Sequence, residues 1–474
     1  MTRRIVVIGD VVLDRDLLGR TERIAPDAPV PVLDVEQLRE SPGGAGLTAL
    51  LCAAADVDVV LVAPIGTDPA GARLKAQLQT RIDVLPLPHD GATRSKTRIR
   101  SSGQSLLRLD EGGPGTPIEP PLEQVRQALA AADVVLVSDY GAGTTSDPGL
   151  RALLTESAAA IPVIWDPHPR GAAPVAGTTL VTPNLAEARA RTGRSGARAR
   201  PPDVLALDLQ ELWGSRAVCV TAGSAGAYLA MSGSEALYVP APLISTGDPC
   251  GAGDRFVASV AQALVRGSVL SEAVVTAVAQ ASTWVANGGA GAYRDRKSDR
   301  GPVVSAGPGP DRASPKDGES GALERFMAGV RARGGQVVAT GGCFDILHVG
   351  HIACLEAARR AGDALIVLLN SDESVSRLKG AGRPVVPAAE RARVLRALQS
   401  VDAVVIFDED DPRAMLARLR PDVWAKGGDY GGTKLPEADL VRSWGGRVLL
   451  LPYVDGRSST SILERSRIPT PRSL

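Results

Sequence analysis

Short apolar runs, each closed by glycine or a polar residue, alternate along this chain with Ala-rich stretches of helical character. In the N-terminal part the runs fall at 5–8, 57–63, 134–138, 163–166, 180–182 and 217–221. In the C-terminal part they fall at 336–340, 364–370, 403–407, 422–425 and 447–451. A strand that is aliphatic throughout is buried on both faces, and the helices that cover it come from the connections between strands. The pattern therefore predicts parallel sheets built from βα units. Ligands of such sheets bind beyond the carboxyl ends of the strands, where the polar punctuation (GD, SDY, DP, TPN, TAG) lies. Segments 29–35 (PVPVLDV) and 96–110 (KTRIRSSGQSLLRLD) alternate apolar and polar residues instead, as a half-exposed antiparallel flap does. The expected fold class is α/β: a core under a small β lid, then a second, smaller α/β domain.

At 474 residues the chain is too long for one ordinary domain. Residues 293–321 are rich in Pro, Gly, Ser and charge, with a single Val-Val pair to bury, and read as an exposed linker. The expected division is a first domain over 1–298, a linker over 299–321 and a second domain over 322–474. Lys plus Arg equals Asp plus Glu, 53 against 53, so no net field draws the chain to nucleic acid or an anionic membrane. Any anion it binds must be held by local geometry. The five cysteines are scattered and include no CxxC pair, which argues against a disulfide framework or structural zinc and fits a reducing cytoplasm. The opening MTRRIVVIGD is no signal peptide, and no apolar run approaches the ~18 residues of a membrane span.

Two segments carry chemistry. The first is D-P-C-G-A-G-D, residues 248–254, which runs into an apolar periodic helix. Gly251, Ala252 and Gly253 are small enough for their N–H groups to approach an anion, and the helix adds its positive end. Asp254 is then placed to accept a proton from an attacking hydroxyl. A bare GxGD is read equally as an N-capping Asp after a glycine turn. The second is GGCFDILHVGH, which holds two of the four histidines, His348 and His351. Three residues apart at a helix start, they share a face and can reach one ligand. A surface pair or a pair of metal ligands is the alternative, weakened by the lack of a third His or suitable Cys nearby.

These motifs carry family resemblances. Residues 3–292 resemble the ribokinase-like carbohydrate kinases, with GDxxLD at Gly9, Asp10 and Asp14, the Gly43-Gly44 pair, TPNLAE, TAGSAG and DxxGAGD in the same order. The resemblance implies a three-layer domain with a β lid, with Asp254 as base and a sugar site at Asp10, Asp14, Gly43 and Gly44. It implies an ATP site at Asn184, Leu185, Ala186, Glu187, Thr221, Gly223, Gly226, Gly251, Ala252 and Gly253, with Mg²⁺ held through waters near Asn184 and Glu187. The segment around His348 and His351 resembles the cytidylyltransferase-like nucleotidyltransferases of Rossmann-like fold, in which the two histidines stabilise the nucleotide phosphates. Gly342, Phe344, Asp345, Lys379, Lys426, Gly428, Asp429, Ser459 and Thr460 are the nucleotide-site candidates it implies.

The two halves in this order resemble the bifunctional heptose 7-phosphate kinase and heptose 1-phosphate adenylyltransferase family. That implies ATP as substrate with Mg²⁺, no zinc, heptose phosphates as the other substrates, and a separate phosphatase acting between the two steps. By analogy of fold, a homo-oligomer would form through the β lid. The chain departs from the family pattern in places. GGAANVA becomes GGAGLTA, with Leu47 at the Asn position; Ala142 replaces a Lys, Cys250 a Thr and Gly341 an Asn. The same two reactions on another sugar or nucleotide, or a degenerate sugar-phosphate-binding module on an active transferase, are the competing readings.

Overall fold

The computed structural model describes residues 3–53, 57–101, 104–113, 115–192, 200–242, 247–295, 321–427 and 435–452. The chain clusters into two compact units. One comprises Met1–Ser224 and Ala241–Ala306, the other Ala225–Pro240 and Gly307–Leu474.

The first unit holds a parallel sheet in the order Asp83–Leu87, Asp58–Pro64, Arg4–Gly9, Val134–Ser138, Val163–Asp166, Leu180–Val181 and Ala217–Thr221. Its central strands are aliphatic and sealed: Ile5, Val7, Val135, Leu136, Ile164 and Trp165 are all 0% exposed. Helices Ala45–Ala53 and Ala252–Val265 pack on this sheet near the carboxyl ends of its middle strands. A four-stranded lid stands apart, in the order Pro31–Gly44, Val11–Ile24, Ser95–Ser101, Gln104–Glu111. Val11–Ile24 pairs antiparallel with Pro31–Gly44 and parallel with Ser95–Ser101, which places Asp14 beside Lys96 and Asp16 beside Arg98.

The lid is larger than the alternating pattern predicts. Val11–Ile24 and the second half of Pro31–Gly44 lack clean alternation because their charged residues pair with one another across the sheet, as Arg15 does with Glu40. The reading of 293–295 as linker is also corrected. Helix Gly289–Asp295 carries Tyr293 against Trp284, at 5.2 Å between centroids, and Arg294 into a buried ion cluster. Local composition signalled exposure there, but opposite charges from the lid neutralise the Arg.

The second unit has parallel strands in the order Ala403–Phe407, Ala364–Asn370, Val337–Gly342, Val423–Gly427, Arg447–Leu451. Hairpin Ala227–Met231/Ala236–Val239 extends it, with Ala236–Val239 parallel to Arg447–Leu451. Glu235 accepts two hydrogen bonds from Arg442, at 2.5 and 2.6 Å. Strand Ala364–Asn370 is buried at every position, and the large indole of Trp424 is fully enclosed. Truncating such an indole to Ala costs about 3–5 kcal/mol.

Candidate active sites

In the first unit the site forms where the middle strands end. Gly251 opens helix Ala252–Val265 in a left-handed conformation, φ 75°, which an L side chain adopts only under strain. A Cβ there would also stand 3.3 Å from Leu47 Cδ2, so Leu47 packs against this turn. A Cβ on Gly253 would meet nothing within 4 Å, leaving its N–H approachable. Asp254 follows in the first helical turn and is 7% exposed. Its Oδ1 accepts from Thr48 Oγ1 at 2.5 Å and from the Tyr140 hydroxyl at 2.7 Å. Burial holds its pKa above the ordinary carboxylate value, and these two hydroxyls oppose that shift.

The acidic residues around it divide into different jobs. Asp10 accepts from the backbone N–H groups of Tyr140 and Ala142, each at 2.9 Å, and of Thr144 at 3.1 Å. It thus shapes the 140–144 loop. Asp14 accepts from Arg98 at 3.1 Å and from Arg294 at 2.7 Å, and Arg294 also pairs with Asp16 at 3.3 Å. Gly43 is small because a Cβ would lie 2.4 Å from the Asp14 carboxylate. Lys96 stands 5.5 Å over the Tyr140 ring, and burial lowers its pKa. Gly44 has φ 58°, and its carbonyl lies 3.3 Å from Thr48 Oγ1.

Asn184 and Glu187 form a reciprocal capping box on helix Leu185–Arg191. Asn184 Oδ1 accepts from Ala186 and Glu187 N–H at 2.9 and 3.0 Å, and Glu187 Oε2 accepts from Asn184 N–H at 2.8 Å. Leu185 opens this helix, and Asn184 bridges to Thr221. Asp166, at the end of its strand, accepts from Thr182 at 2.9 Å; burial, then Asp254 and Glu187, raise its pKa well above the ordinary value. Among the described residues no set of three His, Cys, Asp or Glu converges to hold an ion directly. Gly223 and Gly226 have φ 59° and 97°, and Gly226 belongs to the second unit.

In the second unit strand Val337–Gly342 ends in a kink, with Phe344 at φ 44°, that turns the chain into helix Val349–Arg360. His348 occupies the cap position, but its side chain makes no cap hydrogen bond. The rings of His348 and His351 stack with centroids 3.8 Å apart, and Phe344 lies 5.2 Å from His351. Burial, then the neighbouring His348, pushes His351 down to about 4, against the opposing pull of the Ile346 carbonyl. Asp345 is 3% exposed and accepts from Arg383 Nε and from the N–H groups of Val385 at 2.7 Å and Val386 at 3.0 Å, so it anchors a loop. Gly342 carries no side chain where a Cβ would meet the Phe344 ring at 3.3 Å. Lys379 ends helix Asp372–Lys379, exposed, and lies near enough to Cys343 to oppose the rise of its thiol pKa. Lys426 is 3.6 Å from Glu437 and 5.6 Å over the Trp424 ring. Gly428, Asp429, Ser459 and Thr460 lie outside the described residues.

Residues 2–296 match the model of the pfkB family of carbohydrate kinases, and residues 339–461 match the cytidylyltransferase-like model. Bifunctional protein HldE of Streptomyces coelicolor is 49% identical over 465 residues, 98% of this chain and 96% of that one. The chain belongs to the bifunctional HldE family. HldE of Alcanivorax borkumensis is 39% identical, over 98% of this chain and 97% of that one. Among solved structures, a ribokinase from Thermotoga maritima is 21% identical, covers 59% of this chain and 92% of that chain, and has a TM-score of 0.46. HldE membership joins a carbohydrate kinase of ribokinase-like fold to a Rossmann-like nucleotidyltransferase in one polypeptide.

Several site residues carry no motif signal. Thr48, Lys96, Tyr140, Arg98 and Arg294 come to the first site from four segments far apart in sequence. In the second unit Arg391, 2% exposed, donates to the carbonyls of Val386 (2.8 Å), Cys343 (2.6 Å) and Asn370 (2.9 Å) and to Asp372 (2.6 Å). It ties two strand ends and a loop together. No helix among the described residues is long and apolar enough to cross a membrane.

Proposed function

We propose that this chain carries out two steps of ADP-heptose synthesis. The first unit transfers the γ-phosphoryl group of ATP to the C1 hydroxyl of heptose 7-phosphate, giving the 1,7-bisphosphate and ADP. The second joins the AMP portion of ATP to heptose 1-phosphate, giving ADP-heptose and pyrophosphate. A separate phosphatase must remove the 7-phosphate between them. The observation that carries the reading is a buried Asp254 at the mouth of a helix-terminal glycine turn, in a chain that matches HldE proteins from end to end.

In the kinase step Asp254 takes the proton of the C1 hydroxyl as its oxygen attacks the γ-phosphorus. The N–H groups of Gly251 and Gly253 and the helix end hold the charge that spreads over the transferring group, while the Ala252 N–H closes the turn onto the Pro249 carbonyl at 3.0 Å. Lys96, Arg98 and Arg294 bring three cations against Asp14 and Asp16, which suits a sugar that arrives with its own phosphate dianion. Mg²⁺ bound with ATP would supply neutralisation of phosphate charge. Asn184 Oδ1 is committed to its cap, so the second Glu187 oxygen and Asp166 are the groups that would hold the hydrated metal.

In the transferase step a phosphate oxygen of heptose 1-phosphate attacks the α-phosphorus and pyrophosphate leaves, with no covalent protein intermediate. His348 and His351 donate to the charged oxygens, and Lys379 and Lys426 supply positive charge at the rim. All five cysteines are free thiols, in keeping with a cytosolic enzyme. Purified protein given ATP and a panel of sugar 7-phosphates should consume ATP with the heptose, and add pyrophosphate release once a phosphatase is present. Consumption with another sugar only, or none, would redirect or overturn the assignment.

The lid exposes Ile24, Val35, Leu38, Leu107 and Leu109, between 42% and 67%. We propose that a second copy of the chain covers this apolar surface. Sedimentation should give a dimer that Leu38→Glu with Leu107→Glu dissociates; a wild-type monomer would remove the proposal.

A further inference from the structure

The base of the kinase site is loaded on one oxygen only. Thr48 Oγ1 and the Tyr140 hydroxyl both reach Oδ1 of Asp254, at 2.5 and 2.7 Å. Thr48 and Ser138 are 0% exposed, and their hydroxyl oxygens are 3.3 Å apart. A hydroxyl has one proton to give. At 2.5 Å from a carboxylate, the Thr48 proton goes to Asp254, since a charged acceptor outcompetes the Gly44 carbonyl at 3.3 Å. Ser138 then donates to Thr48. The outcome is a dry, directional chain from Ser138 through Thr48 to Asp254, met on the same oxygen by Tyr140. The phenol donates, because burial and the nearby Asp254 hold it protonated well above its ordinary range.

We propose that Thr48 and Tyr140 are positioning residues of phosphoryl transfer, whose hydroxyls fix Oδ1 of Asp254 so that Oδ2 alone is turned to the sugar hydroxyl. The inference rests on Asp254 being the base. It answers a physical difficulty of the site: burial, with Asp14 adding to it, favours the protonated acid, which could not accept a proton. Lys96 works the other way from the lid. Asp166 from the neighbouring strand end and the Cys52 thiol from helix Ala45–Ala53 also feel the Asp254 charge. Two hydroxyl donors on one oxygen stabilise the carboxylate while leaving the other oxygen clear.

The test is the pH profile of kcat for sugar phosphorylation in the full-length chain. Tyr140→Phe keeps the ring under Lys96 and removes one donor, so the ionised base is stabilised less. Its acid limb should move up by about one pH unit, the scale of one hydrogen bond to a charged group. Near neutral pH, kcat should fall up to about tenfold with KM little changed. Thr48→Val should move the limb the same way, the double variant further, and Thr48→Ser should restore it. Ionisations of ATP and sugar phosphate are common to every variant, so the difference reads the protein. Limbs at the wild-type position in Tyr140→Phe and Thr48→Val would overturn the proposal, as would a fall in kcat without a shift, which marks packing alone. Phosphorylation at the wild-type rate by Asp254→Asn would instead remove the base assignment beneath it.

Discussion

Replacing Asp254 with Asn is expected to slow sugar phosphorylation by a factor of ~10² to 10⁴ while adenylyl transfer from a supplied sugar 1-phosphate continues unchanged. The substitution preserves size, so Thr48 and Tyr140 keep a carbonyl oxygen to donate to. It removes the capacity to accept the C1 proton, so the attacking oxygen must lose that proton to water or to the phosphoryl group itself. Affinity for ATP should change little, because the glycine turn Gly251–Gly253 is untouched. The measurement is ADP release with heptose 7-phosphate, set beside pyrophosphate release with heptose 1-phosphate in the same preparation. Phosphorylation near the wild-type rate would show that Asp254 serves only as an acceptor for Thr48 and Tyr140 and that the transferring group supplies its own base.

Replacing His348 or His351 with Ala should lower adenylyl transfer by ~10² to 10³, the scale of one preorganised donor lost from a developing charge. ATP binding should weaken less, since a contact strengthened in the transition state contributes little to the ground state. Kinase activity should be unaffected. The low His351 pKa, about 4, adds a signed expectation. Both burial and the second imidazole disfavour the cation, and a triphosphate beside the pair favours it. ATP binding should therefore raise the His351 pKa and take up protons as pH falls from about 6 towards 4, readable by calorimetry in buffers of different ionisation enthalpy. Full transfer rates in both variants would make the stacked pair a packing feature. Stoichiometric zinc lost on substitution would make it a metal site.

Much of the frame was legible because its signals are local. Aliphatic runs mark the buried strands, and the glycine turns before Asp254 and His348 mark where strand gives way to helix. Legibility failed where burial is bought with paired charge. Strand Val11–Ile24 carries no alternating pattern, yet its Asp14 and Asp16 are 8% exposed each, held by Arg98 and Arg294. Strand Asp83–Leu87 contains a proline and lies at the sheet edge, where no ladder bond is needed on one side. Asn184 and Glu187 were legible as a spacing, but the reciprocal cap they form is visible only in the fold, because a capping box and a metal-water site ask for the same polar residues.

The chain alone determined that two α/β units follow one another, and it singled out Asp254 and the histidine pair as the candidates for their chemistry. Each depends on residues within one turn of a strand end, where backbone geometry dictates the residue type. Tertiary structure decided what surrounds them. Thr48 and Tyr140 meet Asp254 across 206 and 114 residues, Arg294 reaches Asp14 across 280, and Arg391 reaches Cys343 across 48. No spacing rule links such pairs. They are neighbours because the sheet and the lid bring distant segments to one edge, and burial there makes each hydroxyl or guanidinium find partners that satisfy it.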